Sequence, residues 1–220
     1  MSYTAELKAK IIRDNYSTTR TDALALLKEP LEELAAAAND IRGHFCGDDF
    51  DMCTIVNAKC GRCSENCRYC AQSVHYKTAS KEYYTLLGTE EILKAAKHDA
   101  DRGVPRFSLV TAGRTLSQED VDQVCEEIRT IRRETKLSVC ISAGLLTAEQ
   151  FVQLKAAGLD RVHCNLETSR RNFPNVCTTH TYDDKVRTLK AAQAAGLSLC
   201  SGGIMGLGET FEDRIDMAID

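Results

Sequence analysis

Five short apolar runs alternate with helical segments from about residue 53 onward, and this alternation is the strongest constraint on the fold. The runs predict strands at Cys53–Asn57, Arg106–Thr111, Leu137–Ser142, Arg161–Asn165 and Leu197–Ile204. The segments between them predict helices at Glu90–Arg102, Ser117–Glu134, Ala148–Ala157 and Tyr182–Ala195, with a last helix beginning near Thr210. Repeated strand–helix units are typical of a parallel sheet with right-handed crossovers, so the sequence predicts an α/β fold.

Residues with cap preferences stand at the predicted helix ends. Ser117 and Thr147 lie where two helices should begin, each followed by acidic or amide side chains in the first turn. Gly103, Gly158 and Gly196 lie where three helices should end. The caps therefore agree with the boundaries that the apolar periodicity gives.

The length of the repeated unit suggests the architecture. Units of about 30 to 40 residues suit a TIM-type (βα) barrel, in which functional residues lie at the carboxyl ends of the strands. About five such units are visible, and the fifth helix has barely begun at Asp220. We therefore expect an incomplete barrel and a chain that is the N-terminal portion of a longer protein. The alternative is a natural short form with an open sheet.

The beginning of the chain predicts a helical cap on this barrel. A first helix is expected over residues 1–15. Thr21-Asp22 predicts the N-cap of a second helix, and Pro30 precedes a third at Leu31–Arg42. The predicted domains are a cap and a truncated barrel, at residues 1–45 and 46–220.

Composition excludes several classes of protein. The chain of 220 residues is 43% hydrophobic and 27% charged, which is the balance of a globular protein with a buried core. Its net charge of −4 does not favour nucleic acid or an anionic membrane as a partner. No apolar stretch approaches the roughly 18 residues of a membrane span, and the first residues lack the pattern of a secretory signal. The odd count of 11 cysteines argues against a secreted disulfide framework and favours the cytoplasm, with thiols serving a metal.

One short stretch, Arg62-Cys-Ser-Glu-Asn-Cys-Arg-Tyr-Cys-Ala71, carries closely spaced thiols. Cys63, Cys67 and Cys70 are four and three residues apart, and thiolates at these offsets on a loop can reach one metal centre. Iron–sulfur clusters with four irons ordinarily take four such ligands. Three ligands leave one position open, which is typical of a catalytic rather than a closed structural site. A zinc knuckle and a set of unrelated buried thiols are the alternatives.

This C-x3-C-x2-C pattern, with Tyr69 just before the last cysteine, resembles the signature of the radical S-adenosylmethionine (SAM) superfamily. The longer run Cys53–Ser73 is similar to the biotin synthase family within it. The resemblance implies a [4Fe-4S] cluster on Cys63, Cys67 and Cys70 whose open iron binds SAM, with Tyr69 beside the adenine. It also implies an enzyme, a sulfur transferase that converts dethiobiotin to biotin, with an electron donor of the flavodoxin or ferredoxin type, and a homodimer.

Strand alternation predicts a second group of thiols, inside the barrel. In Leu137–Ser142 the aliphatic side chains face the outer helices, which turns Cys140 inward, and the same alternation in the fifth strand turns Cys200 inward. We predict that these two strands are neighbours and hold their thiols at a similar depth. The thiols are either a second metal site or small apolar fillers.

The same resemblance implies an auxiliary iron–sulfur cluster at this place, usually of the [2Fe-2S] type and held by three cysteines and an arginine. Cys140 and Cys200 match two of the cysteines, whereas the third falls on Ser108. The arginine is expected beyond Asp220. Because serine is a poor substitute for a soft thiolate, a variant of the auxiliary cluster is expected.

Cys164 is a candidate to supply the missing thiolate. Alternation opposes this role, since Cys164 points away from the face of Asn165 and Glu167 unless the strand bulges. Cys46, Cys125 and Cys177 are predicted to be structural.

Further residues resemble those that bind SAM in the superfamily. The resemblance implies that Glu167 and Lys185 bind SAM and that Asn165 contacts SAM and the substrate. It also implies that the glycine-rich turn of Gly206 and Gly208 lies beside SAM. Without the resemblance, Glu167 reads as a solvated acid at a strand end, and the turn as a weak signal for a phosphate site at a helix N-terminus.

Two other functions stay open at this point. Another radical SAM enzyme of the same subgroup, such as a methylornithine synthase or a hydrogenase-maturation enzyme, shares the three motif thiols but needs no sulfur-donating cluster. The inward pair Cys140 and Cys200 argues against it, whereas Ser108 is compatible with it. A non-catalytic iron–sulfur or zinc scaffold is the alternative from another class.

Overall fold

The structure is a computed structural model that describes residues 2–77 and 82–220. The chain forms two compact units. One comprises the residues up to Asp51 together with Glu209–Asp220, and the other comprises Met52–Gly208. The predicted domains, with their boundary after residue 45, stay a prediction. No described helix is long and apolar enough to cross a membrane.

The first unit begins with three helices, as the sequence predicts: α1 (Tyr3–Asp14), α2 (Arg20–Leu26) and α3 (Leu31–Cys46). The predicted cap of the second helix is wrong by two residues. Thr19 is the N-cap, because its hydroxyl accepts from the backbone N–H of Asp22 while the Asp22 carboxylate accepts from the backbone N–H of Thr19. Asp22 is therefore inside the first turn rather than at the cap.

The second unit contains a parallel sheet of five strands in the order of the sequence: β1 (Cys53–Lys59), β2 (Arg106–Thr111), β3 (Ser138–Ser142), β4 (Arg161–His163) and β5 (Ser198–Cys200). Its helices are α4 (Thr89–Ala100), α5 (Gln118–Glu134), α6 (Ala148–Ala157), α7 (Phe173–Val176) and α8 (Tyr182–Ala194). The predicted α/β class and its five strand–helix units are confirmed. The short helix α7 was not predicted.

Helix α9 (Phe211–Ile219) completes the first unit. Thr210 caps it through a capping box with Asp213, close to the predicted start. Within this unit, Arg20 of α2 donates to Asp216 of α9 at 2.5 Å.

The hydrophobic core of the second unit lies between the sheet and its helices. Phe107, Leu109, Val139 and Ile141 alternate along β2 and β3 and are fully buried in one cluster with apolar residues of α4, α5 and α6. Burial of each such side chain stabilises the fold by about 1.5–3 kcal/mol. The alternate residues therefore face the other side of the sheet, where the predicted inner site lies.

Two details of the sheet differ from the predictions. First, β3 and β5 are not neighbours, because β4 lies between them. Second, β4 and β5 end earlier than predicted, and only an isolated bridge between Glu167 and Gly203 continues their pairing. Glu167 has a left-handed backbone (φ 70°), which interrupts a regular strand.

Candidate metal centre

The motif loop follows β1 and is shaped by two left-handed residues. Gly61 (φ 77°) and Arg62 (φ 53°) turn the chain just before Cys63. A Cβ at Gly61 would lie 2.7 Å from the carbonyl oxygen of Glu82, so only glycine fits there. The backbone N–H of Cys63 donates to the carbonyl of Gln72 at 2.9 Å, which closes the loop on itself.

This loop brings the three motif thiols to one cavity. Cys63, Cys67 and Cys70 all line a cavity of about 220 Å³, together with residues that follow β1, β2 and β3. Cys63 is buried, and the other two are half-buried. The carboxyl end of a barrel sheet is where the functional residues of such folds lie.

A buried carboxylate ties the motif loop to the loop before α8. Oε2 of Glu65 accepts hydrogen bonds from His180 Nδ1 at 2.6 Å, from the Thr179 hydroxyl at 2.8 Å and from Arg114 at 3.2 Å. Burial opposes ionisation of Glu65, but the hydrogen bonds outweigh it and hold its pKa below the usual value. Burial lowers the pKa of His180, although the Glu65 carboxylate opposes this shift. At neutral pH, therefore, a carboxylate accepts from a neutral imidazole.

The next residue, Asn66, fixes the same two loops together. Its side-chain oxygen accepts from the backbone N–H groups of Thr178 at 2.9 Å and Thr179 at 3.2 Å. Its side-chain nitrogen donates to the Thr178 hydroxyl at 2.7 Å. Cys67 is thus held between residues that are anchored on both sides, since the backbone N–H of Arg68 also donates to Val176 at 3.0 Å.

The docked loops bring Cys177 and His180 beside a motif thiol. The sulfur atoms of Cys67 and Cys177 are 3.7 Å apart, and Nδ1 of His180 lies 3.3 Å from the Cys177 sulfur. Burial raises the pKa of the Cys67 thiol to about 12, and the neighbouring Cys177 adds to the shift. Sequence reasoning assigned Cys177 a structural role and did not single out His180. The spacing Cys177-x-x-His180 was the signal that could have found them.

Of the residues predicted to bind SAM, Lys185 lies in the same cavity as the motif thiols. Its Nζ is 3.7 Å from Oε1 of Glu167, whose other carboxylate oxygen is buried without a hydrogen-bond partner among the described residues. Burial raises the pKa of Tyr69, and the nearby negative charge of Glu167 raises it further. Tyr69, Glu167 and Lys185 are therefore brought together.

The other predicted SAM residues lie around the bridge between Glu167 and Gly203. Asn165 Oδ1 lies close to Gly202, 3.7 Å from where a Cβ at that glycine would stand. Gly206 and Gly208 have left-handed backbones, at φ 100° and 85°, and turn the chain after this bridge. Among the residues that the structure describes, neither glycine lines the cavity of the motif thiols.

A second group of predicted residues meets on the inner face of the sheet. Ser108 of β2 is the register partner of Cys140 in β3, so the serine lies directly beside the cysteine in the sheet. Burial raises the pKa of Cys140, while Ser108, Arg161 and Arg106 oppose the shift and Cys200 adds to it. Cys140 and Cys200 were predicted to lie at a similar depth in the barrel, and the strand register shows that they do not. Cys140 is paired with Arg161 of β4, whereas Cys200 is paired with His163, further along the same strand. The two arginines were missed by sequence reasoning.

Cys164 lies in a different environment from Cys140. It is buried, and burial raises the pKa of its thiol. The charges that perturb it are those of Lys185, which lowers its pKa, and Glu167, which raises it. The structure thus places Cys164 beside the residues predicted for SAM.

Comparison with known proteins gives the family. A model of the radical SAM superfamily matches residues 59–219. A biotin synthase of Akkermansia muciniphila is 56% identical over 220 residues, which cover 100% of this chain and 68% of the relative. The chain belongs to the biotin synthase family of radical SAM enzymes. Biotin synthase 2 of Corynebacterium diphtheriae is 54% identical over 214 residues, covering 97% of this chain and 64% of the relative. The chain thus spans about two thirds of the length of these relatives.

Two solved structures share the fold of this chain. Methylornithine synthase superposes with a TM-score of 0.82 at 22% identity, covering 96% of this chain and 62% of that one. HydG, a maturase of the [FeFe]-hydrogenase, superposes with a TM-score of 0.80 at 18% identity, covering 100% of this chain and 51% of that one. At these identities the likeness concerns the fold alone. Together with the sheet topology, it confirms the predicted incomplete (βα) barrel.

Membership of the radical SAM superfamily implies a [4Fe-4S] cluster and SAM. The donor set of this chain fits them. Cys63, Cys67 and Cys70 line one cavity and are of the soft thiolate type that binds iron–sulfur clusters. The buried, unpartnered oxygen of Glu167 and the ammonium of Lys185 provide an acceptor and a donor for a polar cofactor.

Proposed function

We propose that the chain carries the cluster- and SAM-binding site of a biotin synthase, an enzyme that inserts sulfur into dethiobiotin. The observation that carries the proposal is the 56% identity to a biotin synthase over the whole chain. The meeting of the three motif thiols in one cavity supports it. In this function a [4Fe-4S] cluster supplies, when bound, the electron that cleaves SAM, and an auxiliary iron–sulfur cluster supplies the sulfur.

Cys63, Cys67 and Cys70 hold the [4Fe-4S] cluster in this proposal. Glu65 and Asn66 keep these ligands in place, since their hydrogen bonds tie the motif loop to the loop before α8. A preorganised loop keeps the ligand geometry without a further entropic cost when the cluster binds. Removal of either anchor therefore weakens cluster retention without removing a ligand.

Lys185, Glu167 and Tyr69 orient SAM beside the cluster. Lys185 binds the carboxylate of SAM as a point charge. The free oxygen of Glu167 accepts from the ribose hydroxyls or the amine of SAM, and the other oxygen lies 3.7 Å from Lys185. Tyr69 lies beside the adenine. Asn165 and the turn with Gly206 and Gly208 complete this side of the site, where Asn165 also contacts dethiobiotin.

The auxiliary cluster lies on the inner face of the sheet, at Cys140 and Cys200. Ser108 lies beside this position as the register partner of Cys140, whereas Cys164, which lies near Lys185 and Glu167, is not a ligand in this proposal. Arg106 and Arg161 offset the negative charge of the thiolates. The [2Fe-2S] form or a variant of it, a flavodoxin- or ferredoxin-type electron donor, a homodimer and the cytoplasm belong to the same proposal.

Anaerobic reconstitution with iron and sulfide, followed by a SAM-cleavage assay, tests the proposal on the full-length protein. Deoxyadenosine is expected from the wild type and from Cys46→Ala, because Cys46 is an exposed thiol of α3. No deoxyadenosine is expected from Cys70→Ala. Absence of deoxyadenosine from the reconstituted wild type contradicts the radical SAM function.

A second candidate is a related radical SAM enzyme without a sulfur-donating cluster. Ser108 favours it, because a hydroxyl stands where a third thiol is expected. Biotin formation from dethiobiotin separates the two candidates. Cleavage of SAM without biotin, in a full-length protein whose iron content accounts for the [4Fe-4S] cluster alone, supports the second.

A further inference from the structure

One motif thiol and two residues from outside the motif bring three ligand atoms together beside the motif loop. The sulfurs of Cys67 and Cys177 and a ring nitrogen of His180 all lie within 4.8 Å of one another. Only Cys67 belongs to the C-x3-C-x2-C motif. The other two come from the loop before α8 and are buried, Cys177 with 3% and His180 with 7% of its surface exposed.

The distances agree with those expected around one metal ion. Zinc binds sulfur at about 2.3 Å and nitrogen at about 2.0–2.1 Å, so tetrahedral geometry separates two sulfurs by about 3.8 Å and sulfur from nitrogen by about 3.6 Å. The two sulfurs here are 3.7 Å apart, and the Cys177 sulfur is 3.3 Å from Nδ1 of His180. Small movements of these side chains therefore suffice to surround an ion.

Glu65 is a candidate for the fourth ligand, because it contacts one member of the group. Its Oε2 is 2.6 Å from Nδ1 of His180 and can replace that hydrogen bond by a fourth bond to the ion. His180 Nε2 is buried without a hydrogen-bond partner among the described residues, so the ring is not committed elsewhere. Two thiolates, an imidazole and a carboxylate are ligands that a tetrahedral Zn²⁺ accepts.

We infer that Cys67, Cys177 and His180, with Glu65, bind a single divalent ion of the Zn²⁺ type when the chain lacks its iron–sulfur cluster. Binding releases one proton from each thiol, because the thiolate is the ligand, and the proton on Nδ1 of His180 moves to Nε2, which frees Nδ1 to bind the ion. Cys67 cannot serve this ion and a [4Fe-4S] cluster at once. The ion and the cluster therefore exclude each other, and a zinc-loaded chain resists cluster assembly. The ion site follows from the geometry alone, whereas the exclusion also rests on the proposed role of Cys67.

Cys177→Ala and Cys70→Ala are expected to differ in their affinity for a divalent metal ion. Cobalt is titrated anaerobically into the cluster-free chain as a spectroscopic probe of the zinc site, and Zn²⁺ is used to displace it. Cys177→Ala is expected to bind Co²⁺ at least about tenfold more weakly than the wild type, because even loss of a residue that only supports a ligand costs about 10–100-fold in metal affinity. Cys70→Ala is expected to keep the wild-type affinity within about twofold, because Cys70 is not part of this site.

The same two variants are expected to differ in the opposite sense in their assembly of the iron–sulfur cluster. Cys177→Ala is expected to assemble the cluster with iron and sulfide, which also shows that it folds, and Cys70→Ala is not. Prior loading with Zn²⁺ is expected to slow assembly in the wild type and to have no such effect in Cys177→Ala.

Several results would overturn the inference. Wild-type Co²⁺ affinity in Cys177→Ala excludes the site, and so does equal weakening in Cys70→Ala, which would place the ion on the three motif thiols. If the zinc-loaded wild type assembles its iron–sulfur cluster as fast as the zinc-free protein, the ion and the cluster do not compete for Cys67. If the wild type never assembles a cluster, the proposed function fails, whereas the Co²⁺ titration still decides the ion site.

Discussion

Nδ1 of His180 donates a hydrogen bond to Oε2 of Glu65 over 2.6 Å, and both side chains are buried. This contact joins two loops that are far apart in the sequence. Because Thr179 and Arg114 donate to the same oxygen, one carboxylate satisfies donors from three residues. A single substitution can therefore leave several buried groups without partners.

Glu65→Ala is expected to lower the free energy of unfolding by at least about 2 kcal/mol, because hydrogen bonds to a charged group contribute about 1.5–3 kcal/mol each. Chemical denaturation under anaerobic conditions measures this. Glu126→Ala is the control, since Glu126 is largely exposed and should change stability by no more than about 0.5 kcal/mol. Equal effects of the two substitutions would contradict the anchoring role of Glu65.

Glu127→Gln is expected to remove a pH dependence of stability. Glu127 lies on α5 with no exposed surface, and burial raises its pKa to about 7. Between its usual pKa of 4.5 and about 7, the folded chain holds a proton that the unfolded chain has lost, so stability falls as the pH rises. The loss reaches up to about 3 kcal/mol, since one pKa unit corresponds to 1.36 kcal/mol.

Denaturation of the wild type and the variant at pH 5 and pH 8 isolates this contribution as a difference. Relative to the wild type, Glu127→Gln should gain stability at pH 8 and little at pH 5. Glu126→Gln, on the neighbouring exposed position, should keep the wild-type dependence. A wild type and Glu127→Gln that change in parallel would show that Glu127 does not retain its proton.

Gly144→Ala is expected to destabilise the turn after β3 by several kcal/mol. A Cβ there would lie 2.2 Å from the carbonyl oxygen of Arg114, and the backbone is left-handed (φ 71°). Gly43→Ala is the matched control with the opposite sign. Gly43 lies inside α3, and a Cβ added there would meet nothing within 4 Å, so alanine should stabilise that helix by about 0.5–1 kcal/mol. Thermal unfolding compares the two, and a tolerated Gly144→Ala would contradict the close approach.

Cys164→Ala is expected to retain the iron and sulfide of the proposed auxiliary site, whereas Cys140→Ala and Cys200→Ala are expected to lose most of both. Cys164 lies beside Lys185 and Glu167, and Cys140 lies beside Ser108 and Cys200. The three substitutions are compared in a background without the motif thiols, so that only the inner site is counted. Equal loss in all three variants would make Cys164 a ligand.

The ends of helices are predicted correctly where a residue with a strong capping preference stands at the end. Ser117 and Thr147 cap α5 and α6 as expected, and Gly158 ends α6 with a left-handed backbone. The N-cap of α2 was placed on the wrong threonine, because Thr19 and Thr21 have the same propensity and only the hydrogen bonds of Asp22 distinguish them. The ends of β4 and β5 were missed, since the left-handed Glu167 has no signature in the sequence.

The candidate site was predicted where its residues are close in the sequence. Cys63, Cys67 and Cys70 share one loop, so their spacing alone brings them together. Cys177 reaches Cys67 only through the docking of two loops, which depends on the contacts of Glu65 and Asn66. No local sequence pattern predicts a contact between two such distant loops. Nor does any local pattern predict that β4 lies between β3, which carries Cys140, and β5, which carries Cys200.

Glu167 has a left-handed backbone, which lowers the stability of the fold at the position of a carboxylate that is proposed to bind SAM. A side chain in this conformation costs about 1–3 kcal/mol, and glycine would remove much of that strain. Glycine would also remove the carboxylate that stands between Tyr69 and Lys185. The chain therefore keeps a locally unfavourable residue where a more stable alternative exists. A screen that selects for thermal stability alone should replace Glu167 readily, and, with the SAM-binding role proposed for Glu167, the most stable proteins it yields should be those that bind SAM least.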